Sequence, residues 1–114
     1  MTRMSTLQRS RELLEADGYH VEVVEQNIRT GRTTFKRDLW NFADLLAIRR
    51  GEMLAVQTTT SSNMASRVAK ITASPLLARV REAGIRVVVH GWSARVVKRG
   101  EAARQWVCRV KDLS

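Results

Sequence analysis

Three residue types that shape many small proteins are scarce in this chain, which has one cysteine, one proline and six glycines. The single cysteine, Cys108, excludes an internal disulfide bond, fits a reducing cytoplasm and is interpreted as a small core residue. No stretch rich in proline, glycine or serine divides the chain. A length of 114 residues is enough for one hydrophobic core, so the sequence predicts one domain over residues 1–114.

Long hydrophobic runs are also absent from the sequence. The longest apolar segments have the length of a β-strand, and the first residues become polar and charged too early for a signal peptide. We therefore expect a cytoplasmic protein without a membrane partner. The sequence contains no glycine-rich phosphate-binding motif and no Cys/His zinc pattern, which argues against an NTPase and against a zinc site.

Acidic residues are outnumbered, because 11 Asp and Glu stand against 20 Lys and Arg, giving a net charge of +9. A field of this sign attracts polyanions, so nucleic-acid contact is favoured over a merely soluble basic protein. The excess is concentrated in one cluster before Asp38 and another near the end of the chain. The basic residues expected to contact nucleic acid are Arg29, Arg32, Lys36, Arg37, Arg95, Lys98 and Arg99.

Three tryptophans are many for a chain of this length. Trp40 lies beside the first basic cluster and Trp92 precedes the second, so either could stack on an unpaired base, with core packing as an equal alternative. Trp106 alternates with Cys108 and Val110, and this pattern predicts that all three face the core.

Apolar periodicity predicts a single-domain α/β sandwich with a central mixed sheet, in the element order αβββαββ. The predicted helical segments cover residues 5–17 and 61–73, with Ser61 and Ser62 as N-caps of the second, and Ser74-Pro75 restarts a helix that runs to Ala83. The predicted strands cover residues 19–24, 43–48, 53–57, 85–90 and 105–110. Residues 27–37 are interpreted as an exposed loop or an irregular strand.

The strands at 43–48 and 53–57 form a predicted hairpin whose turn contains Gly51. If Arg50 and Gly51 are the central turn residues, Asp44 lies opposite Gln57. Thr59 then projects to the same face. Aspartate is depleted in strands and costly to bury unpaired, so this position indicates a cation partner; the alternative is a strand-end aspartate beside solvated polar residues.

Such a polar group suits a hard divalent cation. Mg²⁺ is commonly held by one or two carboxylates together with water and phosphate oxygens, and it activates water for phosphodiester cleavage. The oxygens available here belong to the carboxylate of Asp44, the amide of Gln57 and the main-chain carbonyl of Thr58. The sequence therefore predicts a site for Mg²⁺ or Mn²⁺ at this end of the hairpin.

The chain resembles the PD-(D/E)XK nuclease superfamily, in particular its small Holliday-junction-resolvase-like members. The resemblance covers residues 5–92 and is carried by LLEADGYHVEVVE, FADLLAIRRGEMLAVQTTT and SSNMASRVAKI. In this family an aspartate is followed by a turn and by (D/E)-x-K on the returning strand. Asp44 matches the aspartate, Gln57 the acidic position and Thr59 the lysine position. The resemblance implies a restriction-endonuclease-like fold.

Two positions depart from the family motif. Gln57 resembles the Q-x-K variant of some restriction-type branches, whereas Thr59 replaces the lysine that positions the attacking water in the family. By resemblance, Arg67 or Lys70 takes the place of that lysine. Both share a face with Asn63 on the following helix, and all three are further candidates for nucleic-acid contact.

The first helix of family members often contributes a glutamate to the metal site. By resemblance, Glu12 and Glu15 are the candidate ligands in this chain, although the family glutamate aligns nearer Leu7 or Gln8.

One function and two alternatives are expected. The leading expectation is a DNA-binding, metal-dependent, structure-specific endonuclease that acts on branched or single-stranded DNA, and the resemblance suggests a homodimer. The first alternative is a catalytically inactive relative kept as a nucleic-acid-binding or regulatory subunit, and Thr59 is the residue that separates these two. The second is an adaptor whose basic surface meets an acidic protein. A nucleoid-associated or phage-encoded protein is compatible with the resemblance.

Overall fold

The computed structural model describes residues 4–95 and 105–114, which contain three α-helices and seven strands. The helices are α1 (Thr6–Ala16), α2 (Met64–Thr72) and α3 (Leu76–Glu82). The strands are β1 (His20–Val23), β2 (Gln26–Thr30), β3 (Thr33–Arg37), β4 (Leu45–Arg49), β5 (Glu52–Thr60), β6 (Arg86–Arg95) and β7 (Gln105–Asp112). No helix in these residues has the length and apolar composition needed to cross a membrane.

Five strands form one mixed sheet in the order β1-β4-β5-β6-β7. β5 and β6 run parallel, and every other neighbouring pair in this sheet is antiparallel. β5 is buried from Leu54 to Thr59 because it lies between two strands and is covered on both faces. The expected α/β domain with a central mixed sheet is confirmed.

Helices pack on both faces of this sheet. Successive residues of a strand point to opposite faces, and the two hydrophobic clusters follow this alternation. The cluster that includes α1 contains Leu14, Leu45, Ala47, Leu54, Val56 and Val88. The cluster that includes α2 and α3 contains Ala55, Ile71, Leu77, Val80, Val87 and Val89. The domain therefore has three layers, with the sheet in the middle.

β2 and β3 form a separate two-stranded ribbon. The interpretation of residues 27–37 as a loop or irregular strand was wrong, because the two arms pair in regular antiparallel register. Gly31 has φ +60° at the first central position of the turn, as a type II′ hairpin requires. Every residue of β3 is exposed, so the alternating burial that marks a half-buried strand is missing from the sequence.

The β4–β5 hairpin has the register that the sequence predicted. Arg49 pairs with Glu52 and Leu45 with Val56, and Gly51 in the turn has φ +75°. Its turn is held by ion pairing, since the Nε atom of Arg49 lies 3.0 Å from a carboxylate oxygen of Glu52. The register fixes which side chains meet at the other end of the hairpin.

The predicted capping role of Ser61 and Ser62 was wrong. Both lie in a single 3₁₀ turn between β5 and α2, and α2 begins at Met64 without a side-chain cap. Met64 packs so closely on β6 that a Cβ atom at Gly91 would lie 2.7 Å from its Sδ atom. This contact fixes where the helix begins.

Candidate metal centre

A polar group lies at one end of the sheet, where β4 begins and β5 ends. Asp44 directly precedes β4, and its backbone N–H donates to the carbonyl of Val56 at 2.8 Å, which continues the hairpin pairing. The Nε2 atom of Gln57 donates to Oδ2 of Asp44 at 2.6 Å. The structure thus brings together the two side chains that the hairpin register predicted to be opposite.

Asp44 is 4% exposed and accepts two further hydrogen bonds, both from Thr58. The backbone N–H of Thr58 donates to Oδ2 at 2.8 Å, and its hydroxyl donates to the same oxygen at 3.2 Å. Three donors on one oxygen hold the carboxylate in a single orientation. This is the kind of support that a fixed ligand of a metal ion needs.

The chain before Asp44 makes a tight loop that returns Asp38 to it. The backbones of Leu39 and Ala43 exchange hydrogen bonds of 2.9 and 2.8 Å across this loop. At its tip, Trp40 and Asn41 have φ values of +57° and +64°. A non-glycine residue in this conformation costs on the order of 1 kcal/mol or more, and such strain concentrates at functional sites.

Glu25 reaches the same place from the other side of the β2–β3 ribbon. It directly precedes β2, and Asp38 directly follows β3, so the two acidic residues flank the base of the ribbon. One carboxylate oxygen from each of Glu25, Asp38 and Asp44 lies within 4.8 Å of the other two. We name these three residues the acidic triad.

The acidic triad has dimensions that fit a divalent cation with oxygen ligands. Two oxygens on opposite sides of one ion are separated by about 4 Å for Mg²⁺ and about 5 Å for Ca²⁺, twice the usual ligand distance. Triad oxygens within 4.8 Å of one another therefore need only a small inward shift to share one ion.

Gln57 supplies a fourth oxygen beside the triad. Its side chain is 3% exposed, and within residues 4–95 and 105–114 its Oε1 atom has no hydrogen-bond partner. A buried carbonyl oxygen left unpaired costs about 1–3 kcal/mol, so this oxygen favours a partner from the cleft, either a water molecule or a cation. The amide N–H is already used by Asp44, which leaves Oε1 available for a cation.

Burial and repulsion both act on the charge of Asp44. Burial raises the pKa of Asp44 from 3.8 to about 7, with further upward contributions from a hydrogen bond to Asp38 and from the charges of Asp38 and Glu25. The backbone N–H of Thr58 opposes this by lowering the pKa. A bound divalent cation would favour the ionised form of Asp44 and oppose this upward shift of its pKa.

The triad and Gln57 open into a cleft of about 460 Å³, which we name the metal cleft. Three basic side chains, those of Lys36, Arg67 and Lys70, line it as well. The Nζ atom of Lys36 lies 4.0 Å from a carboxylate oxygen of Glu25. The cleft therefore combines ligands for a cation with cations that would attract a phosphate.

The first turn of α1 also faces the metal cleft. Ser5, Thr6 and Leu7 line it, and the hydroxyl of Ser5 caps the helix by accepting from the backbone N–H of Gln8 at 3.1 Å. The N-terminus of a helix carries a partial positive charge, so this end of α1 favours an anionic ligand in the cleft.

The prediction that Glu12 or Glu15 binds the metal was wrong. Both are exposed on α1, where Glu12 lies 3.5 Å from the amide of Gln8 and Glu15 lies 3.6 Å from the guanidinium of Arg11. Leu7, one of the two positions nearest the family glutamate, does line the cleft. Glu25 contributes a carboxylate to the same cleft.

The predicted position of Thr59 beside Asp44 was also wrong, because Thr58 makes those contacts. Thr59 is 7% exposed and pairs with Gly91 inside the sheet, and among the described residues it is not part of the cleft lining. β5 stays paired with β6 through Thr60, which keeps Thr59 enclosed. The carbonyl oxygen of Thr58 remains a predicted ligand; the Nε2 atom of Gln57 lies 3.4 Å from it.

Most of the predicted nucleic-acid contacts are accessible. The exposed ones are Arg29, Arg32, Lys36 and Arg37 on the ribbon and Asn63, Lys70 and Arg95 elsewhere. Arg67 and Trp40 are half-buried. Lys98 and Arg99 lie outside the described residues.

Trp92 adopts the core alternative of its two predicted environments, whereas the predicted environment of Trp106 was wrong. Trp92 is 7% exposed and donates from Nε1 to the hydroxyl of Ser10 at 2.8 Å, so its ring is not available to stack on a base. Trp106, expected in the core with Cys108 and Val110, is 38% exposed and stacks under the guanidinium of Arg9. The core prediction failed because β7 is an edge strand, exposed at nearly every position.

Glu25 and Asp38 were not predicted as site residues. A signal for Asp38 existed, because it is the acidic residue that ends the first basic cluster and it precedes Asp44 by a short loop. Nothing local marks Glu25, since its place beside Asp44 depends on the ribbon returning to its own base.

No protein-family model matches the chain, and no curated protein sequence matches it.

Proposed function

We propose that this chain is a metal-dependent nuclease of the PD-(D/E)XK type, with a restriction-endonuclease-like arrangement of the sheet around Asp44. The substrate would be DNA, hydrolysed at a phosphodiester bond in the metal cleft. One observation carries the proposal: the acidic triad and the unpartnered oxygen of Gln57 share a cleft with three basic side chains. Three adjacent carboxylates repel one another when ionised, and a bound cation would offset that repulsion.

The acidic triad would hold one Mg²⁺ or Mn²⁺ ion, with Gln57 as a neutral ligand. A bound cation of this kind activates water and offsets the charge that grows on phosphate oxygens during cleavage. Asp44 is the anchor, because its orientation is fixed by Gln57 and Thr58. Glu25 and Asp38 complete the set from the two ends of the ribbon.

The basic side chains of the cleft would bind and orient the phosphate. One of them would take the role of the lysine that Thr59 replaces. Arg67 and Lys70 were expected for this role from the sequence, and the structure adds Lys36, which lies close to Glu25. An ammonium or guanidinium beside the ion stabilises the anionic transition state.

The resemblance extends the proposal to branched or single-stranded DNA as the substrate and to a homodimer as the active form. The second candidate function is a catalytically inactive, nucleic-acid-binding relative. Thr59 favours it, because this residue is 7% exposed and its hydroxyl carries no positive charge to replace that of the family lysine.

A cleavage assay with labelled branched, single-stranded and duplex DNA tests the proposal. We expect cleavage that requires Mg²⁺ or Mn²⁺, and a loss of at least about 100-fold in Asp44→Asn, because the anchor of the ion is removed. The matched control is Glu12→Gln, which removes a carboxylate outside the cleft and should cut as wild type does.

The outcomes separate the two candidates. Cleavage that survives Asp44→Asn unchanged would refute catalysis at the acidic triad. Salt-sensitive DNA binding without cleavage by any form of the protein would support the inactive relative instead.

A further inference from the structure

A second groove continues from the metal cleft along the β2–β3 ribbon. Its volume is about 620 Å³, and it shares Lys36, Asp38 and Lys70 with the metal cleft. Beyond these shared residues it is lined by Ile28, Phe35, Arg37 and Asn41. A chain-like ligand lying in this groove would therefore lead directly to the acidic triad. We name it the ribbon groove.

Phe35 is an unusual residue at its position. It is 48% exposed, on a strand where every residue is exposed. Its cross-strand partner is Ile28, and both side chains line the groove. An aromatic–β-branched pair of this kind stabilises a ribbon by about 0.2–1 kcal/mol, and the exposed half of the ring remains free to contact a ligand.

The charges of the ribbon groove are complementary to a nucleic-acid backbone. Lys36, Arg37 and Lys70 provide three cations, and among the described residues in its lining Asp38 is the one acid. An exposed aromatic ring beside a row of cations is the arrangement by which proteins hold single strands, with bases stacked on the ring and phosphates on the cations.

We propose that the ribbon groove binds single-stranded nucleic acid, with an unpaired base stacked on Phe35 and the adjoining phosphates against Lys36 and Lys70. A duplex hides the faces of its bases, so a ring that projects from a ribbon finds a stacking surface only where bases are unpaired. The strand direction toward the acidic triad rests on the proposed function, whereas the stacking on Phe35 does not.

The test compares Phe35→Ile with Phe35→Tyr. Isoleucine keeps an apolar, β-branched partner for Ile28 and favours a strand, but it has no aromatic face. Tyrosine keeps the face. The matched control is Trp106→Ile, which removes an exposed aromatic ring from the edge strand β7. Binding of labelled oligo-thymidine, oligo-uridine and a blunt duplex is measured by fluorescence anisotropy in EDTA, and circular dichroism confirms that each variant is folded.

We expect Phe35→Ile to weaken single-strand binding by about fivefold or more, in line with the loss of one stacked base, and to leave duplex binding within about twofold. Phe35→Tyr and Trp106→Ile should bind single strands as wild type does. The two oligonucleotides decide whether the strand is DNA or RNA. Unchanged single-strand binding by Phe35→Ile would overturn the inference, and so would an equal loss for duplex and single strand.

This result is separable from the proposed function, because no metal is present and no bond is cut. If Asp44→Asn cleaves as wild type does while Phe35→Ile loses single strands, the groove assignment stands and the metal site fails. If Phe35→Ile binds single strands normally while cleavage depends on Asp44, the metal site stands and the groove assignment fails.

Discussion

The Nε2 atom of Gln57 donates a hydrogen bond of 2.6 Å to Oδ2 of Asp44, one step beyond the last paired residues of the β4–β5 hairpin. This contact sets the orientation of the amide, because an N–H directed at a carboxylate leaves the carbonyl oxygen of Gln57 pointing away from it. That oxygen is buried and unpaired in the part of the chain that the structure describes. Gln57 therefore supports the carboxylate ligand and offers an oxygen of its own.

The first prediction concerns metal binding without catalysis. Mn²⁺ or Mg²⁺ should raise the melting temperature of the wild-type protein, because the ion binds the folded state alone. At about ten times Kd the gain would be about 1.4 kcal/mol, or about 5 °C for a domain of this size. Differential scanning fluorimetry measures it. Glu25→Gln and Asp38→Asn should lose most of the shift, and Glu12→Gln should keep it.

The second prediction is that Asp44→Asn stabilises the metal-free protein. The pKa of Asp44 is raised from 3.8 to about 7, so its contribution to stability is full below pH 3.8 and is lost as the pH rises through about 7. An asparagine retains an oxygen for Gln57 and Thr58 without the buried charge. We expect a gain of about 1–3 kcal/mol at about pH 8 in EDTA, from urea unfolding.

The reverse outcome is informative for the second prediction. If Asp44→Asn is less stable than wild type in EDTA at alkaline pH, the carboxylate is not strained in the free protein and the electrostatic description of the triad is wrong. In Mn²⁺ at about 1,000 times Kd the order should invert, because the wild type gains about 4 kcal/mol from the ion and the variant does not.

The hairpin was predictable because its signals are local. Gly51 and the apolar runs on either side fix the turn, and the period of two residues then decides that Asp44 meets Gln57. The rest of the triad was not predictable in the same way. Glu25 and Asp38 meet only because the intervening ribbon pairs with itself, and the ribbon has no buried face to mark it in the sequence.

Burial was the second limit on prediction. Trp92 and Trp106 both lie in strands, and alternation alone cannot tell which strand is central and which forms an edge. Trp92 is buried because β6 lies between β5 and β7, whereas Trp106 is exposed because β7 is an edge strand. Whether a strand is central or lies at an edge depends on how all the strands pair. Here β6 pairs with β5 on one side and with β7 on the other, which leaves β7 at the edge.

The third prediction is that Gln57→Glu makes the stability of the folded protein depend more strongly on bound metal. A fourth carboxylate beside Asp44 adds repulsion in the metal-free state, and we expect a loss of about 1–3 kcal/mol in EDTA. It also adds a charged ligand, so the increase in melting temperature with Mn²⁺ should be larger than that of wild type. Gln105→Glu, which adds the same charge at an exposed position, is the matched control.

Two results would contradict the third prediction. A variant as stable as wild type in EDTA would mean that the new carboxylate has turned away from Asp44. A smaller response to Mn²⁺ would mean that Gln57 does not lie in the coordination sphere of the ion.

The fourth prediction concerns His90, on the opposite side of the sheet from the triad. His90 is 3% exposed, and its Nδ1 atom lies 2.9 Å from the hydroxyl oxygen of Ser10. The same oxygen accepts a hydrogen bond from the Nε1 atom of Trp92. Because Trp92 donates to that oxygen, the hydroxyl hydrogen of Ser10 is free to donate to Nδ1. This arrangement suits a neutral imidazole, and burial lowers the pKa of His90 from 6.5 to about 4.

The lowered pKa gives a defined dependence of stability on pH. The contribution of His90 is full above pH 6.5 and is lost as the pH falls through about 4, because the unfolded chain takes up the proton first. Through His90, the free energy of unfolding of the wild type should fall by about 2–3 kcal/mol between about pH 7 and pH 4. We expect His90→Gln not to show this decrease. Urea unfolding in EDTA at several pH values measures this slope.

Asp44 acts in the opposite direction over the same range, and this makes the pH experiment decisive for both residues. In His90→Gln the remaining slope should have stability falling as the pH rises, which is the contribution of Asp44. In Asp44→Asn, stability should instead fall as the pH drops, because the contribution of His90 remains. Slopes of the same sign in the two variants would show that at least one buried group is ionised differently from the state inferred here.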